Sequence, residues 1–399
     1  MMMYLGYSIQ ALQAAGGEAT AREISQQPQS WKKTLAILSE QHSQISAFLA
    51  PLMNQPELRI VLTGAGTSAF AGRALAPYLS GQTRRRFDAI ATTDIVTDPS
   101  EYFAESCPTL LVSFARSGCS PESVAAVELA SQLLPTCYHL VITCNPDGDL
   151  YQRSLTDEHT LALLMPDETN DRSFAMTSSL TSMMLACLAV FLPAEMTTES
   201  FAPVADVCER ILSEQLAVIT ALAKEDCQRV IYLGSGSLQG IAQEAALKLL
   251  ELTAGRLLVG FDSPVGFRHG PKSVIDNSSL VIIFVSNDPY TRQYDLDLLT
   301  ELRNDGQARR IIAIADTPDP VISQGDHLLL PTPLNVSDAQ LCFPYLLVAQ
   351  IYAFSRAVSL AISPDNPCPG GEVNRVVRGV KIYPFHNKNR GNKPCQTLY

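Results

Sequence analysis

The sequence predicts an α/β protein of two subdomains, each a doubly wound, mostly parallel sheet flanked by helices. Three observations carry this. Short β-rich apolar runs recur without polar alternation, as strands buried on both faces require. Helical stretches separate these runs. The whole pattern also occurs twice, each time opened by a Gly-x-Gly turn between a strand and a helix, TGAGTS at 63–68 and LGSGSLQG at 233–240. A length of 399 residues agrees, because single hydrophobic cores stop growing at about 250–300 residues.

Taken in order, Thr20-Ala-Arg-Glu23 reads as a capping box opening a helix towards Trp31. Strands of the first half are expected at 58–63 (LRIVLT), 109–114 (TLLVSF), 138–144 (YHLVITC) and 160–165 (TLALLM), with helices at 68–79 and 120–134. The longest apolar run, 183–193, is too short to span a bilayer and reads as a buried helix. A largely helical stretch, 194–225, joins the halves. Strands of the second half are expected at 230–233, 280–285, 310–315 and 327–330, with helices at 238–253, 290–303 and 339–360. The expected division is an N-terminal helical segment (1–40), a first subdomain (41–195), a helical connection (196–226), a second subdomain (227–362) and a tail (363–399). The polar end of that tail, from about residue 386, reads as loose.

Composition narrows the function. The net charge of −11 argues against non-specific nucleic-acid binding, which relies on basic surface. An anionic ligand would have to be held by local dipoles and hydroxyls. The N-terminus, MMMYLGYSIQALQAAGG, lacks the basic start and long apolar core of a secretory signal, so a cytoplasmic location without membrane attachment is expected. The ten cysteines form no CxxC pair and the six histidines are scattered. A metal site is not expected, and the cysteines read as small core residues in a reducing compartment.

Three motifs carry chemistry. Gly64-Ala-Gly-Thr-Ser68 exposes backbone N–H groups at a helix N-terminus, where phosphate can sit, although a plain strand-to-helix turn has the same form. A dinucleotide fingerprint would need glycine at position 69, which is Ala69, and no GxxxxGK[ST] loop occurs, so no nucleotide cofactor is expected. Ser113-Phe-Ala-Arg-Ser-Gly-Cys-Ser-Pro-Glu122 gathers Ser117 and Ser120 at another helix start, where Ser120 also serves as a cap. Glu244, Lys248 and Glu251 share one helix face, followed by Phe267-Arg-His-Gly-Pro271. Separately these read as an ion-paired face and a turn histidine. Together, a carboxylate and an imidazole form the acid–base set that moves a proton on a sugar.

TGAGTSAF (63–70), SFARSGCSPES (113–123) and EAALKLLEL (244–252) with GFRHGP (266–271) resemble the SIS-domain phosphosugar isomerases and the isomerase half of glucosamine-6-phosphate synthase. The resemblance covers nearly the whole chain. Through EISQQPQSW (23–31), MPDETNDRSFAMTSS (165–179), YTRQYDLDLL (290–299) and VNRVVRGVKIYP (373–384) it is nearest the galactosamine-6-phosphate deaminase/isomerase branch.

The resemblance implies two SIS subdomains, a sugar-phosphate substrate and no cofactor. Ser117 and Ser120 match the phosphate loop with Ser68 beside it, and Thr177 and Ser178 match a hydroxyl patch that closes over the sugar. Glu251 matches the base that shuttles a proton between C1 and C2. His269 matches the ring-opening histidine, which the family takes from a neighbouring chain, implying a homodimer with shared active sites. The tail is implied to reach the active site. The chain departs from the synthase pattern in two places. Arg116 replaces a glutamine in the phosphate loop and implies a direct phosphate contact. Arg378, with Lys381 after it, stands where the synthase has a Schiff-base lysine, and arginine cannot form an imine. The implied reaction deaminates and isomerises D-galactosamine 6-phosphate to D-tagatose 6-phosphate. Simple aldose–ketose isomerisation, deamination of the gluco epimer and a non-catalytic sugar-phosphate-binding module are the alternatives.

Overall fold

A computed structural model describes residues 3–377 and 379–386. Strands β1 (Arg59–Thr63), β2 (Arg86–Ala89), β3 (Thr109–Ala115), β4 (Cys137–Thr143) and β5 (Thr160–Leu164) form one sheet in the order β2-β1-β3-β4-β5. Strands β6 (Arg229–Gly234), β7 (Leu258–Asp262), β8 (Ser279–Phe284), β9 (Arg310–Ala315) and β10 (His327–Leu329) form the other, in the order β7-β6-β8-β9-β10. All pairings in both sheets are parallel. The two orders are the same, so the duplication seen in the glycine turns extends to topology.

The central strands match the continuous apolar runs because they are covered on both faces, β3 and β8 being buried throughout. Strands β2 and β7 have no counterpart in the sequence reading. Both are edges, with mixed exposure, and their residues RFDA and LVGFD lack a continuous apolar run.

The helices that position the site are α1 (Glu18–Ser25), α2 (Gln27–Glu40), α3 (Thr67–Thr83), α4 (Pro121–Leu133), α5 (Ser178–Phe191), α6 (Ser237–Leu252), α7 (Pro289–Asp305) and α8 (Asp338–Ser359). Helix α8 is long and apolar enough to cross a membrane by composition, but it is buried inside the molecule along nearly its whole length. Helix α5, from the longest apolar run, is buried at each of its positions. Trp31 on α2 packs edge-on to Phe201 and Phe343 and donates its indole N–H to Thr181 Oγ1 at 2.9 Å.

The expected capping box at Thr20–Glu23 is not formed. Helix α1 already begins at Glu18, and both side chains find distant partners instead. Thr20 Oγ1 donates to Asp365 Oδ1 at 2.6 Å, and Glu23 accepts the backbone N–H of Arg172, also at 2.6 Å. Long-range bonds replace the local one.

Helices α3 and α6 leave their glycine turns with the same backbone, Gly66 at φ 55°, ψ −125° and Gly236 at φ 56°, ψ −124°. Side chains other than glycine are strongly disfavoured there. The two helices then cross at Gly240, where an added Cβ would stand 2.5 Å from the backbone N of Ala74. This close approach brings the carboxylates and lysine of α6 to the start of α3.

Candidate active site

In an open parallel sheet the ligand crevice lies where strand order reverses, beyond the carboxyl ends of the strands. In the first half that point is between β1 and β3, whose following loops are 64–67 and 116–120. The second loop turns at Gly118 (φ 68°), where a Cβ would come 3.2 Å from Gly148 Cα, so glycine allows the two loops to touch, and Asn145 Nδ2 donates across them to Ser117 O at 2.8 Å. Ser120 caps α4 by accepting from Ser123 N, and Pro121 follows at the first helical position. Among the described residues, Ser117 Oγ accepts only a long bond, 3.4 Å, from Cys119 N. Ser68 is buried on the first turn of α3, with its hydroxyl 4.0 Å from Met176 Sδ.

Arg116 is buried in this loop, and its Nη2 donates to the Arg375 carbonyl at 3.0 Å. Its Nε and Nη1 have no partner among the described residues. Burial, and then the nearby Arg375 guanidinium, pull its pKa below the ordinary value. A buried guanidinium with two unpartnered N–H groups, beside a second guanidinium, is chemically suited to an anion in a chain of net negative charge.

Helix α6 carries the row of carboxylates and lysine expected from its spacing. Lys248 is fully buried, yet its pKa is raised, because Glu244 at 3.5 Å and Glu251 in direct contact outweigh desolvation. Its Nζ also donates to Thr67 Oγ1 at 2.9 Å, which ties α6 to the start of α3. Glu244 lies deeper, and burial pushes it up to about 7 despite the attraction of Lys248. Glu251 is about three-quarters buried and sits at the open end of this row, one oxygen on Lys248. The sequence reading left Lys248 without a site role. The i, i+3 and i, i+4 spacing was visible, but its burial was not.

The hydroxyl patch stands at the start of α5. Asp171, fully buried, accepts from Thr177 N at 2.7 Å, Ser179 N at 2.9 Å, Ser179 Oγ at 2.6 Å and Ser178 Oγ. Ser178 Oγ also accepts from Gln26 at 2.9 Å, so its hydroxyl is consumed within the protein. Thr177 Oγ1 is buried and has no partner among the described residues. Thr63 Oγ1, Glu122 Oε2 and Glu244 Oε2 are likewise buried without a partner among the described residues. A buried polar atom without a partner costs about 1–3 kcal/mol.

Among the described residues, two expected ones, His269 and Lys381, are not joined to this group. His269 is exposed on the loop after the short helix Pro264–Phe267, with no hydrogen bond or ion pair to Glu251. Lys381 lies over the Tyr383 ring, 4.9 Å from its centroid, and makes no bond to the crevice. Arg378 falls outside the described residues. The tail residue that does enter is Arg375, whose guanidinium donates to the Asp171 carbonyl, with Nε at 3.0 Å. No group of three or more His, Cys, Asp or Glu among the described residues is placed to hold a metal ion.

The second half has the equivalent crevice between β6 and β8, with different chemistry. Asp288 occupies the capping position before Pro289 that Ser120 holds before Pro121, and its carboxylate accepts from Tyr290 N at 3.1 Å and Thr291 N at 2.8 Å. These amides are taken, and the carboxylate repels an anion. Of the two crevices, the first is the one suited to phosphate.

The SIS-domain family model matches residues 52–193 and 222–359. The chain is 50% identical over 373 residues to D-galactosamine-6-phosphate deaminase AgaS of Escherichia coli O157:H7, covering 93% of this chain and 97% of that protein. It is 47% identical over 384 residues to the D-galactosamine-6-phosphate deaminase AgaS of Shewanella sp. (strain ANA-3), covering 95% of each. The crystal structure of tagatose-6-phosphate ketose/aldose isomerase from Escherichia coli superposes with a TM-score of 0.88 at 49% identity, over 94% of this chain and 98% of that one. Two matched segments on two sheets of one topology, with near full-length relatives, make the chain a member of the SIS-domain family.

Proposed function

We propose that this chain is an amino-sugar-phosphate deaminase and ketose–aldose isomerase that converts D-galactosamine 6-phosphate and water into D-tagatose 6-phosphate and ammonia. The observation that carries the reading is the row Glu244–Lys248–Glu251, bound to Thr67 beside a loop whose buried Arg116 has two free N–H groups. It provides a proton-transfer carboxylate and an anion cradle in one crevice. The names of the relatives above support the substrate.

Phosphate is taken by Ser117, Ser120 and Arg116, with Ser68 beside them. Thr177 meets a sugar hydroxyl. His269 moves a proton between the ring oxygen and the C1 oxygen, which opens the pyranose. Glu251 then removes the proton from C2 of the open aldehyde and returns it to C1. The carbon–nitrogen bond at C2 becomes an imine, water adds there, and ammonia leaves to give the ketose. Lys248 keeps Glu251 oriented and balances its charge.

His269 comes from a second copy of the chain. Support lies in its exposure and in the exposed apolar residues Leu250, Leu258, Phe261 and Val265 on the elements leading to it, a patch that a partner would cover. A cytoplasmic location is supported by buried thiols at Cys144, Cys187, Cys208, Cys227 and Cys342, none in a disulfide. The deciding experiment measures ammonia release from galactosamine 6-phosphate, glucosamine 6-phosphate and their N-acetyl forms side by side. Fastest release from galactosamine 6-phosphate is expected. Ketose formation without ammonia from any of them would overturn the deaminase reading.

A further inference from the structure

Glu23 belongs to α1, outside both segments that match the family model. It is 2% exposed, and its carboxylate does not serve its own helix. One oxygen accepts from Arg172 N at 2.6 Å and Ser173 N at 3.2 Å, and the other accepts from Ser173 N at 3.3 Å and from Ser173 Oγ. These donors begin the turn that runs from Asp171 to Ser179. Gln26, one turn further along the chain, reaches the same segment through Glu168 O at 2.7 Å and Ser178 Oγ at 2.9 Å. From the opposite side, Arg375 of the tail, also outside the matched segments, donates to the Asp171 carbonyl. The Asp171 carboxylate in turn gathers Thr177 N, Ser178 Oγ and Ser179. Burial, and then the Asp171 carboxylate, push Glu23 up to about 7. Two buried carboxylates side by side are costly, and they persist because each is saturated by donors of one short turn.

The result is an unusual division of labour. The duplicated core provides the phosphate loop and the acid–base row, whereas the free Thr177 hydroxyl is placed by arms from the two ends of the chain. We propose that Glu23 is a positioning residue for sugar binding, holding from outside the duplicated core the turn that carries Thr177. The proposal deepens the reading of Thr177 as a sugar contact and rests on it. It makes the N-terminal helix a determinant of how the sugar end is read, while Glu23 reaches the phosphate end only at a distance, through its weak attraction for Arg116.

The test uses the full-length protein, its Glu23→Gln variant and the Glu23→Asp variant. Glu23→Gln keeps the shape and removes the charge that saturates the Arg172 and Ser173 donors. Ligand binding is read by fluorescence of Trp31, the only tryptophan, whose indole bonds Thr181 one turn along α5 from Thr177. Loss of the clamp should weaken galactosamine 6-phosphate about tenfold, leave inorganic phosphate within about twofold, and speed amide exchange in the turn about tenfold, with α6 unchanged. Glu23→Asp should restore part of the affinity. A merely structural role would weaken both ligands together, and that outcome overturns the proposal. Unchanged exchange at Arg172 and Ser173 overturns it too, as does faster exchange with sugar-phosphate affinity intact. Binding by the wild type without ammonia release would sink the proposed reaction alone. No binding of galactosamine 6-phosphate by the wild type would sink both.

Discussion

Replacing Lys248 by methionine tests the acid–base row at its centre. Methionine fills much the same space, so the change removes a charge more than it opens a cavity. Lys248 is fully buried, with Thr67 at 2.9 Å, Glu244 at 3.5 Å and Glu251 in contact. Breaking a buried pair by removing one partner costs about 3–5 kcal/mol where the other is left charged. The loss should therefore follow the ionisation of Glu244. That group titrates near 4.5 when unfolded and about 7 when folded, so the wild type loses stability from Glu244 as pH rises through that window. Without Lys248 the attraction that lowers this pKa is gone, and the folded value moves further up. Below pH 7 the folded carboxyl is mostly protonated in both proteins and cancels from the comparison. Above it, the variant alone continues to lose stability, at about 1.4 kcal/mol per pH unit until its own pKa is passed. The lysine itself has a raised folded pKa, so its contribution stays constant well below its unfolded value of 10.5. Urea unfolding of Lys248→Met and wild type at pH 6 and pH 9 should thus show a destabilisation about 2 kcal/mol larger at pH 9. Equal losses at the two pH values, within about 0.5 kcal/mol, would refute Glu244 as a buried charge balanced by Lys248.

Other outcomes follow from the same geometry. Glu251→Gln should keep the fold and sugar binding but lose most turnover, and activity within about tenfold of wild type would remove it from the proton transfer. Ser117→Ala and Ser120→Ala should each weaken the phosphorylated sugar by about 1 kcal/mol or more and hardly change binding of the unphosphorylated one. Ser120→Ala should also lower stability by about 1 kcal/mol through the lost helix cap, measured by urea titration. Gly240→Ala should destabilise by about 1–3 kcal/mol, because its Cβ would stand 2.5 Å from the Ala74 backbone and force α3 and α6 apart. Mixing inactive Glu251→Gln with inactive His269→Ala should restore some activity after subunit exchange, since one site of each mixed dimer is intact. No recovery despite proven exchange would place both residues in one chain.

Much of the fold was legible in local pattern. Strands covered on both faces must be continuously apolar, which marked β1, β3, β4, β6, β8 and β9. The glycine turns at Gly66 and Gly236 were legible for a similar reason: each needs a backbone that other residues strongly disfavour, so the residue type reports the conformation. Ser120 before Pro121 announced a helix start in the same way. Features of this kind depend on a residue and its near neighbours, and they determined the α/β class, the duplication and the place of the proposed phosphate loop.

The partners across the fold were another matter. Edge strands β2 and β7 depend on a neighbouring strand and carry no apolar run of their own. Thr20 and Glu23 spell a capping box, yet the folded chain offers them Asp365 and the Asp171 turn, which bind them instead. Ser178 and Thr177 look alike in sequence, but Asp171 and Gln26 consume one hydroxyl and leave the other free. Of the expected tail residues, Arg378 lies outside the described residues and Lys381 lies over the Tyr383 ring, whereas Arg375, not singled out in the sequence, meets Asp171. Lys248 reads as one end of a solvated ion pair until α3 packs over α6 and removes it from water. A residue's type constrains the bonds it can make, but which partner it meets, and how dry that meeting is, follows from contacts between separate elements, many of them more than a hundred residues apart, which only the folded chain brings together.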